Sequence, residues 1–177
     1  MNKKVVIIGS IAVVVGSSLW YWLVYNPSIT QQQQMNGTKT AGGGFNNPGN
    51  FRIGKPVYNG EVDSQGAAFR WFQSMPYGLR AIIVLYRYYY RVLGKTTIRQ
   101  AVATYAPPSD GNDDVAYDKA LADGTGVDID ADMHDLLYTE SGAILLMKAI
   151  TKVEQGSSFL LSDTDCIAAY NLLPIIS

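Results

Sequence analysis

The chain has 177 residues, 47% of them hydrophobic, which is enough for one domain with a packed core and an appended segment. Its net charge of −1 conceals an asymmetry: residues 36–105 carry nine Lys and Arg against two acidic residues, and residues 106–177 carry three Lys against thirteen. Cys166 is the only cysteine, so the chain has no internal disulfide. His134 is the only histidine, so no other His is available to a catalytic triad, and a zinc site with several His ligands is excluded.

The charge asymmetry has two interpretations, which the residues alone leave open. The basic and acidic halves attract one another, or the basic half faces an anionic polymer or a lipid surface.

Residues 5–25 contain no charged side chain and approach the ~20 residues that a helix needs to cross a bilayer. Lys3 and Lys4 precede this stretch, and aromatic residues close its far end. A cleaved signal peptide has a shorter apolar region followed by small residues, so we predict an uncleaved transmembrane anchor over residues 1–26. The positive flank predicts a C-terminal domain on the exoplasmic side. Residues 27–44, rich in Gln and Gly, predict a flexible linker.

The polar segment 45–52, which reads Phe-Asn-Asn-Pro-Gly-Asn-Phe-Arg, predicts a tight loop. Pro48 removes a backbone donor, whereas Gly49 and Asn50 tolerate positive φ. The amides of Asn46, Asn47 and Asn50 can each donate and accept hydrogen bonds. They either bond their own backbone or form a cradle for a neutral polar ligand such as an acetylated sugar.

The rest of the domain, residues 45–177, is predicted to be α+β and mostly helical. Gly and Pro between residues 50 and 72 predict a short β-hairpin region. Five helices are predicted to follow: from Ser74 to Leu93, from Thr96 or Thr97 to Ala103, from about Asp114 to Ala122, from about Glu140 to Glu154, and from Thr164 to Leu172 with Asp163 as its cap.

The first of these helices has two chemically different faces. Its apolar residues, which are expected to face the core, are Leu79, Ile82, Ile83, Tyr86, Tyr90 and Leu93. Three arginines, Arg80, Arg87 and Arg91, fall on the opposite side, where we expect a solvated face.

The aspartates between residues 128 and 135 resemble the start of a calcium-binding loop. Met133 stands where that loop needs Gly, and Thr139 stands where it needs Glu. We therefore predict helix-capping aspartates, no metal site and no other cofactor.

Glu154 lies in the last turn of its predicted helix, where the negative end of the helix dipole raises the pKa of a carboxyl group. A general acid for glycoside cleavage needs a raised pKa. The alternative is a frayed and solvated glutamate at a helix end.

The segment from Asn46 to Arg52 resembles the NNPGNIR signature of a phage and prophage protein family, with Phe51 where Ile is usual. Later segments resemble the same family: 69–72, 78–81, 88–90, 97–98, 105–108, Tyr117, 126–128 and 149–156. The resemblance covers about residues 45–172. Its members are similar to virion structural proteins of tailless, membrane-containing phages and to proteins described as peptidoglycan hydrolases. This chain differs from them by its predicted anchor.

Residues 149–156 also resemble the helix end that carries the acid glutamate of lytic transglycosylases. This resemblance implies a lysozyme-like domain in permuted order, with Glu154 beside the loop 46–50. It assigns Glu154 as the catalytic acid and Glu61 or Asp63 as a second carboxylate. The amides of the loop, with Arg52, would then bind the sugar. In an ordinary, unpermuted order only Glu61 and Asp63 could serve, because no Glu lies between Tyr25 and Glu61.

Two functions follow from the resemblances. The first is a membrane-anchored, virion-associated muramidase or lytic transglycosylase that degrades peptidoglycan. The alternative is a non-enzymatic minor virion protein that links the internal membrane to the capsid. Both imply a single-pass protein of a virion internal membrane or bacterial inner membrane. The expected partners are the lipid bilayer, peptidoglycan, and the capsid or other virion membrane proteins, with no specific nucleic acid.

Overall fold

The computed structural model describes residues 37–174, which form an α+β fold that is mostly helical. The predicted anchor, and the predicted linker up to residue 36, lie outside the described residues. Within residues 37–174 no helix is both long and apolar enough to cross a membrane.

The predicted hairpin region contains two short antiparallel strands, β1 (Glu61–Val62) and β2 (Trp71–Phe72). The helices of the described chain are α1 (Met75–Arg91), α2 (Ile98–Tyr105), α3 (Asp114–Thr125), α4 (His134–Tyr138), α5 (Glu140–Gln155) and α6 (Asp163–Asn171), with a 3-10 turn at Pro108–Asp110. The short helix α4 was not predicted. The strongest packing joins α5 to α3, α4 and α6, and joins α1 to α6.

Side-chain caps set the starts of four helices. The caps of α2, α3, α5 and α6 are Thr97, Asp113, Thr139 and Ser162, and each accepts a hydrogen bond from a backbone N–H in the first turn. The prediction of Asp163 as a cap was therefore wrong by one residue. Helix α3 continues past the predicted end at Ala122, because the left-handed residue that stops it is Gly126.

The apolar face of α1 is buried as predicted, with Leu79, Ile82, Ile83 and Tyr86 fully enclosed. Leu93 lies beyond the end of the helix and is exposed.

The expectation of a solvated arginine face on α1 was wrong for Arg87, which is only 8% exposed. Its Nε donates to the Leu137 carbonyl oxygen at 2.9 Å, and its guanidinium lies 4.9 Å from the Tyr138 ring centroid. Arg80 is half-buried and donates to the Leu172 carbonyl oxygen at 3.0 Å. The packing of α4 and α6 against α1 covers both side chains, and both arginines satisfy carbonyl groups near the ends of those helices.

The described part of the predicted linker, residues 37–44, is packed against the domain. Lys39 pairs with Phe45 in an isolated β-bridge, and Thr40 is 4% exposed. The Ala41 N–H donates to Gln155 Oε1 at 2.6 Å. The folded unit therefore begins before Phe45, because side chains of the following loop and of α5 bind the backbone of this segment.

Candidate functional site

The loop 45–52 is held in an unusual backbone conformation next to the start of α1. Asn46 and Asn50 have φ values of 51° and 49°, in the left-handed region that asparagine tolerates. A Cβ atom on Gly78 would lie 1.9 Å from the Asn46 carbonyl oxygen. Only glycine at position 78 therefore lets α1 approach the loop this closely.

The amides of Asn46 and Asn47 bond backbone groups of the chain. Asn46 Nδ2 donates to the Phe72 carbonyl at 2.9 Å, and its Oδ1 accepts from the Thr38 N–H at 3.0 Å. Asn47 is fully buried, and its side chain bonds both backbone groups of Phe51 at 2.9 Å. These two side chains hold the loop and, in this conformation, do not face a ligand.

Asn50 connects the loop to the end of α5. Its Nδ2 donates to Glu154 Oε2 at 3.1 Å and to the Glu154 carbonyl oxygen at 3.0 Å. Its Oδ1 accepts from the Gly42 N–H and from Gln155 Nε2, both at 3.0 Å. The structure thus brings together Asn50 and Glu154, two candidate residues that are 104 positions apart in the sequence.

A tyrosine from α3 holds the other oxygen of the carboxylate. The Tyr117 hydroxyl donates to Glu154 Oε1 at 2.9 Å, and Tyr117 is 7% exposed. Its ring packs edge-on against Tyr105, with 6.1 Å between centroids, and the Tyr105 hydroxyl donates to the Gly49 carbonyl. Tyr86 also packs against Tyr105, with 5.8 Å between ring centroids. Glu154 therefore lies between the polar loop and a cluster of buried tyrosines.

Glu154 holds its proton more strongly than an exposed glutamate does. Burial raises its pKa above the ordinary value, although hydrogen bonds from Tyr117 and Asn50 act in the opposite direction. Burial also raises the pKa values of Tyr105 and Tyr117, so both remain neutral hydroxyl donors. The arrangement is a half-buried carboxyl group with a raised pKa and two fixed donors.

Glu61, one of the two proposed second carboxylates, is paired elsewhere. It forms an ion pair with Arg70 in which the side chains are 11% and 4% exposed. Its Oε2 also accepts from the Tyr58 N–H at 3.0 Å. Arg70 in turn donates to carbonyl groups of the loop that follows Phe51. Through these contacts Glu61 stabilises the hairpin region.

The remaining candidates lie on exposed loops. Asp63 Oδ1 accepts from the Gln65 N–H at 2.8 Å. Arg52 is exposed, and its guanidinium lies 5.2 Å from the Phe69 ring centroid. Neither side chain has a described hydrogen bond to Glu154, whose described partners are Asn50 and Tyr117.

Two residues of the site were not assigned from the sequence. Gln155 donates to the Pro48 carbonyl and to Asn50 Oδ1, both at 3.0 Å, and accepts from Ala41. Its position beside Glu154 was the only signal for it. The resemblance to the phage family includes Tyr117 but gives it no role. No local pattern indicates that this one of twelve tyrosines is the partner of a carboxylate 37 positions away.

The aspartates of residues 128–135 organise the turn before α4. Asp128 and Asp132 accept from the N–H groups of Asp130 and His134, at 2.9 and 2.7 Å. Asp130 pairs with Arg99 of the basic half at 2.7 Å. Among residues 37–174 no group of three or more His, Cys, Asp or Glu side chains is placed to hold a metal ion.

Comparison with known proteins does not identify the chain. No model of a known protein family matches it. The curated proteins likewise include none that matches it.

Proposed function

We propose that Glu154 is the general acid of a glycoside-cleaving site, and that the protein is a muramidase-like or lytic-transglycosylase-like enzyme acting on peptidoglycan. The observation that carries this proposal is the environment of one carboxyl group. Glu154 is half-buried, its pKa is raised, and each of its oxygens accepts one hydrogen bond, from Tyr117 or Asn50.

The chemistry needs a proton on Glu154 when the substrate binds. Cleavage of a glycosidic bond is accelerated when a carboxylic acid protonates the leaving oxygen, and burial keeps more of this acid protonated near neutral pH. The two donors then stabilise the carboxylate that remains after proton transfer. Tyr117 and Asn50 also fix the direction in which the carboxyl group faces.

Glu61 and Asp63 are held by other groups, so the contacts around Glu154 support a mechanism with one carboxyl group. Such a group can give its proton to the leaving oxygen and then accept a proton from the attacking hydroxyl, of water or of the sugar itself. Attack by a sugar hydroxyl gives an anhydro product, and attack by water gives a reducing end. The product therefore distinguishes a transglycosylase from a hydrolase.

The biological setting of the proposal comes from the sequence resemblances. The signature of residues 46–52 resembles that of phage virion proteins, and the predicted anchor would hold the domain at a membrane. We therefore place the activity in a virion, where local opening of peptidoglycan accompanies entry or exit. A lysozyme-like domain in permuted order belongs to the same proposal.

A second candidate is a non-enzymatic virion protein that links the membrane to the capsid. The observation that favours it is that side-chain amides at the site bond backbone groups of the protein itself. Asn46 and Asn47 bond only backbone groups in the described contacts. Gln155 bonds the loop through its amide nitrogen and the preceding segment 37–44, at Ala41, through its amide oxygen. On this interpretation Glu154 and Gln155 fasten the loop to α5.

The decisive experiment is digestion of purified peptidoglycan by the full-length protein in detergent or nanodiscs, with soluble fragments analysed by mass spectrometry. We expect Glu154→Gln to lower the rate by about 100- to 10,000-fold, as removal of a general acid does. The variant should stay folded, because the amide oxygen of the introduced glutamine can accept from Asn50 while its nitrogen donates to the Tyr117 oxygen.

Glu140→Gln is the matched control. Glu140 is the first residue of the same helix α5 and is exposed, so its substitution should leave the rate unchanged. Wild-type activity in Glu154→Gln would remove Glu154 from the mechanism. A wild-type protein that releases no fragments from any peptidoglycan type would favour the structural candidate instead.

A further inference from the structure

A cavity of about 460 Å³ lies along one side of α1, and its lining includes neither Glu154 nor the side chains that bond it. Its lining is Val84, Arg87, Tyr88, Arg91, Val92 and Pro174. The residues from α1 are three or four positions apart and therefore share one face of the helix. Pro174, which follows α6, lines it as well.

This cavity is both cationic and apolar. Two arginines line it, and no acidic residue does. Among the described ion pairs none involves Arg87 or Arg91. Arg87 is 8% exposed, and its buried Nη1 has no hydrogen-bond partner among the described residues. A buried guanidinium nitrogen without a partner is costly, and an anionic group held at the exposed Arg91 of the same lining would reduce that cost through its electric field.

Three large apolar side chains are exposed together at the rim of the cavity. Val92 is 65% exposed, Tyr88 is 48% exposed, and the neighbouring Leu93 is 41% exposed. Exposed aliphatic and aromatic side chains interspersed with arginines are typical of a surface that lies at the boundary between lipid headgroups and acyl chains. An inorganic phosphate would satisfy the arginines but would leave this apolar rim in water.

We propose that this face of α1 docks onto a bilayer that contains anionic lipid, with lipid phosphate groups next to the exposed Arg91 and with Tyr88, Val92 and Leu93 in the headgroup region. The buried Arg87 adds positive potential beneath that surface. The contact is separate from the site at Glu154, and it does not depend on that site being catalytic. Docking would fix the orientation of the domain on the membrane, which the linker predicted from the sequence would leave open by itself.

The test uses the full chain in nanodiscs of phosphatidylcholine, alone or mixed with phosphatidylglycerol. An environment-sensitive dye is attached at Val92→Cys, and at Val115→Cys, 72% exposed on α3, as the reference position. The native Cys166 is buried, and burial raises its thiol pKa to about 11, so it reacts slowly with the dye. Wild-type protein treated with the dye measures any residual labelling.

We expect the dye at position 92 to shift to shorter wavelength in the mixed discs only, and the dye at position 115 to be unchanged. One basic residue near an anionic surface changes the docked-to-undocked ratio by about fivefold, so Arg91→Gln should lower that ratio by this factor. Lys119→Gln is the matched control on another exposed surface and should have no effect.

Three results would overturn the proposal. The first is docking that does not depend on charge, seen either as equal emission at position 92 in both kinds of disc or as equal effects of Arg91→Gln and Lys119→Gln. The second is a shift produced by dissolved glycerol phosphate without anionic lipid, which indicates a site for a free anion. The third is a dye shielded in every condition until residues 175–177 are deleted, which indicates that the chain's own C-terminus fills the cavity.

Discussion

Replacing Tyr117 with Phe removes one hydroxyl from the site and tests the balance that sets the pKa of Glu154. The Tyr117 hydroxyl donates to Glu154 Oε1 at 2.9 Å, and this bond lowers the carboxyl pKa against the larger effect of burial. A hydrogen bond to a charged group contributes about 1.5–3 kcal/mol, and one to a neutral group about 0.5–1.5 kcal/mol. The difference of roughly 1–1.5 kcal/mol should raise the pKa of Glu154 by about one unit in Tyr117→Phe.

This shift can be measured directly because the chain contains only three glutamates, Glu61, Glu140 and Glu154. Selective ¹³C labelling of the glutamate carboxyl carbons gives three signals, which Glu→Gln variants assign, and each is followed by NMR against pH. Tyr90→Phe is the control, since it removes a hydroxyl that bonds the Asp132 carboxylate at 3.1 Å elsewhere. A Glu154 pKa that stays constant or falls in Tyr117→Phe would refute the conclusion that the hydrogen bond from Tyr117 lowers this pKa.

Three further outcomes follow from the same contacts. Glu61→Gln leaves the buried charge of Arg70 without its partner, and denaturant titration should show a loss of about 3–5 kcal/mol in the free energy of unfolding. Gly78→Ala places a methyl group against the backbone of the loop 45–52, and the same titration should show a loss of about 3 kcal/mol, with less helix if the loop detaches. The folded-state pKa of Glu154 is raised, so wild-type stability should decline as pH rises from the unfolded-state pKa through the folded-state pKa and then level off. In Glu154→Gln this decline should become smaller, and burial of Asp118, whose pKa is also raised, accounts for a part that remains. An unchanged decline would assign it wholly to groups other than Glu154.

Five of the six α-helices in residues 37–174 were predictable because their signals are local, whereas the short α4 was not predicted. The apolar spacing of α1 and the Gly after α3 and α5 belong to single turns of the chain. The burial of Arg87 was not predictable, because it depends on α4 and α6, which lie far along the chain and cover that face; the Leu137 carbonyl that Arg87 binds is 50 positions away. A helix pattern separates apolar from charged faces, but it does not say whether another element will cover the charged one.

The candidate site also has parts that the local sequence predicts and parts that depend on distant segments. The loop conformation followed from Pro48 and the asparagines, although the left-handed residues are Asn46 and Asn50 and Gly49 is not among them. The placement of Glu154 beside the loop came from a family resemblance, and no periodicity encodes it. Glu61 was proposed only because few acidic residues precede α1. Its ion pair with the buried Arg70 could not be inferred from the sequence, because it depends on the pairing of β1 with β2.

The structure also changes the physical reason for the raised pKa of Glu154. From the sequence, the cause would be the negative end of the α5 dipole, which unpaired carbonyl groups create. Asn50 Nδ2 donates to the Glu154 carbonyl oxygen and to Glu154 Oε2, so it satisfies one of those carbonyls and stabilises the ionised carboxylate at once. Both effects lower the pKa, and burial is the larger opposing effect. Asn50 therefore limits how far the pKa of Glu154 rises, and a substitution at position 50 that removes the amide but leaves Glu154 buried should raise it further.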